Sequence, residues 1–303
     1  MRFVTFSIKG RPISREEPTE AGALLDGRVV SLRGAGFADL LGVIAGGEDA
    51  LGRARRWVTH APTGSVFDRD TVRLTAPIAR PGKIICIGLN YRDHAAEAHL
   101  ELPSVPTVFS KFATAVIGPG EAIVLPRNST KPDYEAEFAV VIGRRARHVS
   151  EADWRSCVFG YTILNDVSAR DFQTATSQWM MGKTFDTFAP FGPAIVTADE
   201  IADPHNLRIS LAINGETLQD SNTSNLIFGV PQLIAFLSSV FTLEPGDLIS
   251  TGTPAGVGFA RKPPRWLRPG DNVSIKIDGL GELVNPVVAE AWTAATIEAT
   301  ARP

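Results

Sequence analysis

The sequence predicts a β-rich mixed α/β fold, with a small N-terminal domain over residues 1–75 and a larger domain over residues 76–303. Three observations carry that expectation. Short runs of alternating or β-branched residues recur between Gly and Pro turns, and they outnumber the windows with helical periodicity. A Pro-punctuated stretch, Thr75-Ala76-Pro77-Ile78-Ala79-Arg80-Pro81-Gly82, reads as a linker between two patterned regions. At 303 residues and 44% apolar content, the chain can bury a substantial core and divide into two unequal domains.

Alternation over residues 2–8 and 27–32 predicts a small β unit, and apolar spacing over 37–45 and 49–59 predicts two helices after it. The run Lys83-Ile84-Ile85-Cys86-Ile87-Gly88 predicts the strand that opens the larger domain. Further strands are expected at 133–143 and 159–168, around Val196, and over 207–213, 248–250 and 272–277. Helical windows are fewer, at 91–99, 151–157, 168–177 and 231–240. No internal repeat or low-complexity tail interrupts this pattern.

Composition narrows the function classes. A net charge of −3, with 21% charged residues and no basic run, argues against a nucleic-acid partner. No apolar stretch is long enough to span a bilayer, and the opening Met1-Arg2-Phe3-Val4-Thr5-Phe6 is too soon interrupted for a secretion signal, so the expected setting is cytoplasmic, with no membrane. Cys86 and Cys157 lie in apolar surroundings without a C-x-x-C spacing, as buried free thiols do.

The most informative segment is Asp133-Tyr134-Glu135-Ala136-Glu137-Phe138-Ala139-Val140-Val141-Ile142-Gly143. In a strand, Glu135 and Glu137 project from one face. If that face is buried, paired carboxylates lose hydration and repel each other, and a divalent cation is the usual remedy. Carboxylates alternating with apolar residues more often mark the wet face of a strand, so both readings stand at this point. Asp166, at the end of the next apolar run, supplies a third carboxylate, although Asp before a helix is also an ordinary cap. In Gly88-Leu89-Asn90-Tyr91-Arg92-Asp93-His94-Ala95-Ala96-Glu97, His94 and Glu97 are three apart and share a face of a helical turn. A carboxylate on one imidazole nitrogen makes the other a better base, and surface His/Glu pairs are also common.

Five ordered motifs resemble the fumarylacetoacetate hydrolase family over residues 77–288: Gly-Leu-Asn-Tyr-x-x-His-x-x-Glu (88–97), Tyr134-Glu135-Ala136-Glu137, Asn165-Asp166-Val167-Ser168-Ala169-Arg170-Asp171, Gly182-Lys183-Thr184-Phe185-Asp186 and Thr251-Gly252-Thr253-Pro254-Ala255-Gly256-Val257-Gly258. The stretch 182–188 with Arg261-Lys262-Pro263-Pro264 is most similar to the family's domain-containing 2 subgroup. The resemblance implies a distorted β-roll or β-sandwich catalytic domain, a smaller N-terminal domain and a homodimer. It also implies one Mg²⁺ or Mn²⁺, with Ca²⁺ as a substitute, on Glu135, Glu137 and Asp166. An all-oxygen donor set suits those hard cations, whereas zinc favours His or Cys. Without a balancing base in the cluster, bound metal should raise thermal stability by linkage.

The small-molecule substrate implied is a 2-oxo or 1,3-diketo acid, and the first expectation is hydrolysis of a carbon–carbon bond in an acylpyruvate. In that scheme His94 with Glu97 activates water, and Lys183 holds the developing enolate. The same enolate serves oxaloacetate tautomerisation or decarboxylation and 2-hydroxyhepta-2,4-diene-1,7-dioate-type isomerisation, which are the enzyme alternatives. A metal-dependent ligand-binding module without catalysis is the alternative from another class. Tyr91, Lys111, Arg170, Gln173 and Thr253 are the further substrate-binding candidates, Arg170 and Asp171 equally a structural ion pair. His60, His99, His148 and His205 have no partner pattern and read as structural or exposed. Residues 94–106, small and apolar, read as a lid.

Overall fold

The computed structural model describes residues 1–9 and 19–291. Its strands, in chain order, are β1 Arg2–Ile8, β2 Glu20–Leu25, β3 Arg28–Ser31, β4 Val66–Asp68, β5 Val72–Thr75, β6 Ile84–Gly88, β7 Thr107–Lys111, β8 Val116–Ile117, β9 Ile123–Leu125, β10 Pro132–Asp133, β11 Ala136–Ile142, β12 Val158–Asn165, β13 Ser168–Ala169, β14 Ala189–Thr197, β15 Arg208–Ile213, β16 Glu216–Asn222, β17 Leu248–Ser250, β18 Asn272–Ile277 and β19 Gly281–Ala289. The α-helices are α1 Leu40–Ala45, α2 Gly47–His60, α3 Arg92–Glu97, α4 Arg170–Gln173, α5 Met180–Lys183 and α6 Val230–Val240. The fold is thus the β-rich mixed α/β type that the sequence predicts.

A twelve-stranded sheet runs β4-β3-β2-β1-β14-β12-β11-β17-β6-β7, with β5 on β1 and β8 on β14, and a five-stranded sheet runs β16-β15-β18-β19-β9. Strand β11 shows why the large sheet is covered on both sides. Its alternate residues Phe138, Val140 and Ile142 join Ile209, Leu211 and Ile275 of the second sheet and Leu233, Ile234 and Leu237 of α6 in one cluster. Ala139 and Val141, on the opposite face, join Val43, Ile44 and Ala54 of the N-terminal helices. All seven residues of β11 are therefore buried, and full burial of each large side chain contributes about 1.5–3 kcal/mol. By the same period of two, Glu137 shares the face of Ala139 and Val141.

The domain boundary proposed between residues 75 and 76 follows β5, and the two segments share a sheet, since β1 pairs with β14 through Arg2↔Val196 and Phe3↔Ile195. Residues 292–303, assigned to the larger domain, lie outside the described residues. Two helical expectations shrink. Of 168–177 only α4 is helical, because Ser168 and Ala169 pair with Asp133 and Pro132, and 151–157 is reduced to a 3₁₀ turn, Trp154–Cys157. Strand β19 was not anticipated. Pro286 stands near its end opposite Asn272, at the last pair of the β18 ladder, where a missing N–H costs least.

His205 has a structural part. Its Nε2 accepts the Val230 N–H at 3.0 Å at the start of α6, and burial lowers its pKa below the usual 6.5 despite Asp203 nearby. A histidine depressed in the fold stabilises above its unfolded pKa, and that contribution is lost as pH falls through the folded value. The melting temperature should therefore drop between pH 7 and pH 5, and less so in His205→Gln, as differential scanning calorimetry of both proteins would reveal. Parallel pH profiles would overturn this.

Candidate metal and catalytic site

Pairing of β11 with β12 puts Ala136 opposite Asn165, so Glu135 and Asp166, one step beyond each strand, meet at the same end of the ladder. The Asp166 N–H donates to the Glu135 carbonyl at 2.9 Å, and the Asn165 Oδ1 accepts the Glu135 N–H at 3.1 Å. With Glu137, the two form a cluster whose ligand oxygens lie within 4.8 Å of one another. Exposures of 4% for Glu135, 1% for Glu137 and 0% for Asp166 set aside the wet-strand alternative.

The expectation that no base balances these carboxylates is corrected. Lys183 Nζ donates to Glu135 Oε2 at 2.6 Å and to Asp166 Oδ2 at 2.8 Å, and Lys111 Nζ donates to Asp166 Oδ1 at 2.5 Å. Arg170 Nη2 approaches Glu135 Oε1 at 2.5 Å, while its Nε reaches Asp133 Oδ2 at 2.8 Å. These cations arrive from β7, α4 and α5, so spacing along the chain did not reveal them. The consequences differ for the two glutamates. Burial works against Glu135 as an anion, but Arg170 and Lys183 outweigh it and hold its carboxyl at about 2. Burial, Asp166 and Glu135 together push Glu137 well up.

Glu137 is positioned by the loop after β17. Ser250 Oγ and the Gly252 N–H both donate to its Oε2, at 2.5 and 2.9 Å, while Thr251 Oγ1 donates to the Phe138 carbonyl at 2.8 Å. Gly252 has φ +100°, and a Cβ there would lie 2.9 Å from that of Asn90, so glycine is required. The loop's Gly252 N–H and Thr251 hydroxyl are thus committed to β11. Thr253 still faces the cavity, its Oγ1 accepting from Gln219 Nε2 at 2.8 Å.

A cavity of about 700 Å³ opens over the cluster, lined by Glu135, Glu137, His94, Arg170, Gln173, Lys183 and Thr253 together with Phe109, Trp179, Phe259 and Trp266. His94 Nδ1 lies 2.7 Å from Glu97 Oε1, and Glu97 Oε2 accepts the Gly256 N–H at 2.9 Å. Glu97 is thereby fixed on both oxygens, and His94 carries its proton on Nδ1 and leaves Nε2 as a base. Phe259 packs between Arg170, whose Cζ sits 4.6 Å above its ring, and the edge of His94. Gln173 Oε1 accepts from Arg170 Nη1 at 2.9 Å.

Two substrate candidates are placed elsewhere. Lys111 is buried against Asp166 and the Val167 carbonyl, and Tyr91 is fully buried with a hydroxyl that has no partner among the described residues; neither lines the cavity. Asp171 does not pair with Arg170, accepting instead from Ser129 and Thr130. Sequence reasoning missed Asp133, which orders Arg170 and accepts the Gly258 and Phe259 N–H groups at 2.7 and 3.1 Å, although it opens the very run that carries Glu135. Leu100, Leu102 and Val105, in the segment read as a lid, are about half exposed, and only Leu100 of them lines the cavity.

The donor set fits a hard divalent cation. It holds three carboxylates and no His or Cys, and both hydrogen bonds to Glu137 fall on one oxygen. Neighbouring glycines make the site possible. A Cβ on Gly182 would lie 2.3 Å from the Gln173 backbone N and 2.6 Å from the Ala169 carbonyl oxygen. Gly182→Ala should therefore push α5 off α4 and withdraw Lys183, giving a lower melting temperature and a loss of activity that added metal does not restore. Unchanged melting and kinetics would contradict that packing.

Residues 83–288 match the family model fumarylacetoacetate (FAA) hydrolase C-terminal, and the chain belongs to that family. It is 49% identical over 243 residues to oxaloacetate tautomerase Fahd2a, mitochondrial, of Rattus norvegicus, covering 80% of this chain and 77% of the relative. Among solved structures, it resembles maleylpyruvate hydrolase of Sphingobium sp. SYK-6 in complex with manganese (II) ion and pyruvate, at 30% identity and TM-score 0.79, covering 96% and 100% of the two chains. The 2-hydroxyhepta-2,4-diene-1,7-dioate isomerase of Mycobacterium marinum aligns at 36% identity and TM-score 0.73, with the same coverage. The chain is an enzyme of the fumarylacetoacetate hydrolase superfamily, a group that contains hydrolases, tautomerases and isomerases. The rat relative is named as mitochondrial, which does not fit the cytoplasmic expectation, and no helix among the described residues is long and apolar enough to cross a membrane.

Proposed function

We propose that this enzyme interconverts the keto and enol forms of a 2-oxo acid of the oxaloacetate kind. That ranks tautomerisation above acylpyruvate hydrolysis, the reverse of the order expected from sequence. The observation that carries proton transfer at this site is the His94–Glu97 pair, a base with one nitrogen fixed at 2.7 Å and the other without a hydrogen-bond partner among the described residues, on the same cavity as Glu135, Glu137 and Lys183. The name of the rat relative supports the same order.

Glu135, Glu137 and Asp166 would hold Mg²⁺ or Mn²⁺, and when bound the cation polarises the 2-oxo group and lowers the energy of an enolate. The chain's residues account for the proton. His94 Nε2 takes a proton from the carbon beside the oxo group, and the electron pair of that C–H bond becomes the C=C bond while the carbonyl oxygen takes up charge. Lys183, which donates only two of its three protons to Glu135 and Asp166, offers the third toward that oxygen. Lys183 passes that proton to the oxygen to complete the enol and is recharged from water, to which His94 releases the proton it took from carbon; the reverse sequence restores the ketone. Gln173 Nε2 and the Thr253 hydroxyl supply further polar contacts on the cavity wall, and Phe109, Phe259 and Trp179 limit water.

Hydrolysis would use the same base to activate water. Turnover in D₂O separates the two: the carbon beside the oxo group should take up deuterium well above the uncatalysed rate, without chain cleavage. Acylpyruvate cleavage with exchange at background would overturn the proposal.

A further inference from the structure

We infer that Lys131 selects dicarboxylic over monocarboxylic 2-oxo substrates by pairing with the carboxylate distal to the oxo group. The inference rests on the tautomerase reading above and adds a specificity residue that no motif pointed to. The cavity wall carries the carboxyl groups of Glu135 and Glu137, and a substrate with two carboxylates brings two charges to it. Among the described residues, the Lys and Arg side chains on that wall are Lys131, Arg170 and Lys183. Arg170 is committed to Asp133, Glu135 and Gln173, and Lys183 to Glu135 and Asp166. Lys131 differs: its ammonium has no ion pair or side-chain hydrogen bond among the described residues, and it is exposed.

The backbone at Lys131 is fixed where the side chain is not. Its carbonyl accepts the Arg170 N–H at 3.0 Å, and the next residue, Pro132, pairs with Ala169 and accepts the Leu267 N–H at 2.8 Å. A free ammonium on a flexible stem, anchored one residue from the β10–β13 pair that leads into Arg170, can follow a substrate's far carboxylate without disturbing the carboxylate cluster. An exposed pair of this kind is worth less than a buried one and is screened by salt.

Oxaloacetate and its 4-methyl ester, which lacks only the distal charge, provide the test. In low salt with Mg²⁺, Lys131→Ala should lower kcat/KM for the diacid by about two- to fivefold, mainly through KM, and leave the ester unchanged. Lys131→Arg should keep the preference, and added salt should erode it in the wild type but not in Lys131→Ala. Equal losses on both substrates, or none on either, would overturn the inference. Should the wild type turn over neither compound, the tautomerase reading fails by itself. Calorimetric binding of the same pair then decides on Lys131: weakening of the diacid alone supports it, and equal binding to the variant rejects it.

Discussion

Asp166→Ala should abolish turnover at any Mg²⁺ concentration and also destabilise the protein. Asp166 does two things at once: it offers an oxygen to the cluster, and it accepts from Lys111 and Lys183, both buried. Removing the carboxylate leaves two ammonium groups in the interior without it, and breaking a buried pair costs about 3–5 kcal/mol. Glu137→Gln separates the effects, because its side chain still accepts from Ser250 and Gly252 on the remaining carbonyl oxygen. That variant should melt near the wild type and bind Mg²⁺ more weakly. Because Lys111, Lys183 and Arg170 already offset part of the cluster's charge, the rise in melting temperature with Mg²⁺ should be smaller than three unpaired carboxylates would give. Isothermal titration with Mg²⁺ and Mn²⁺ alongside thermal melts checks both; full activity in Asp166→Ala would remove the cluster from the mechanism.

His94→Ala should lower tautomerisation by about 10²–10⁴-fold, the range for losing a positioned base, with metal affinity intact. Glu97→Gln should have a smaller effect in the same direction, since the Gly256 N–H and the helix still hold the side chain in place while the carboxylate that fixes the His94 tautomer is gone. Decarboxylation of oxaloacetate breaks a C–C bond and needs no proton abstraction first, so it should suffer less from either change. Loss of metal binding in His94→Ala would put the residue in the cluster and not in the base pair.

The parts of the site legible in the sequence obey local periods. Glu135 and Glu137 follow the two-residue period of a strand, and His94 and Glu97 the helical turn, so the carboxylate face and the base pair could be read without tertiary knowledge. What holds them in place could not. Ser250 reaches Glu137 across 113 residues of sequence, Lys111 reaches Asp166 across 55, and Gln219 reaches Ala136 across 83. The first two depend on sheet order, in particular the placing of β17 between β11 and β6, and the third on the second sheet lying against β11. The short helices α4 and α5 were mostly hidden for a related reason: at four residues each they have no period to detect and exist through packing on each other. The order of the reactions was illegible on chemical grounds, because hydrolysis, decarboxylation and tautomerisation share one enolate and one set of residues.

The most direct test of the central claim is a partition measurement on one preparation with Mg²⁺: loss of the oxaloacetate enol absorbance, release of carbon dioxide from oxaloacetate, and cleavage of an acylpyruvate, each as kcat/KM. The account predicts that enol–keto conversion is the fastest of the three and that it alone falls by about two orders of magnitude or more in His94→Ala. An acylpyruvate cleaved faster than the enol is converted, or an enol rate that His94→Ala leaves untouched, would contradict it.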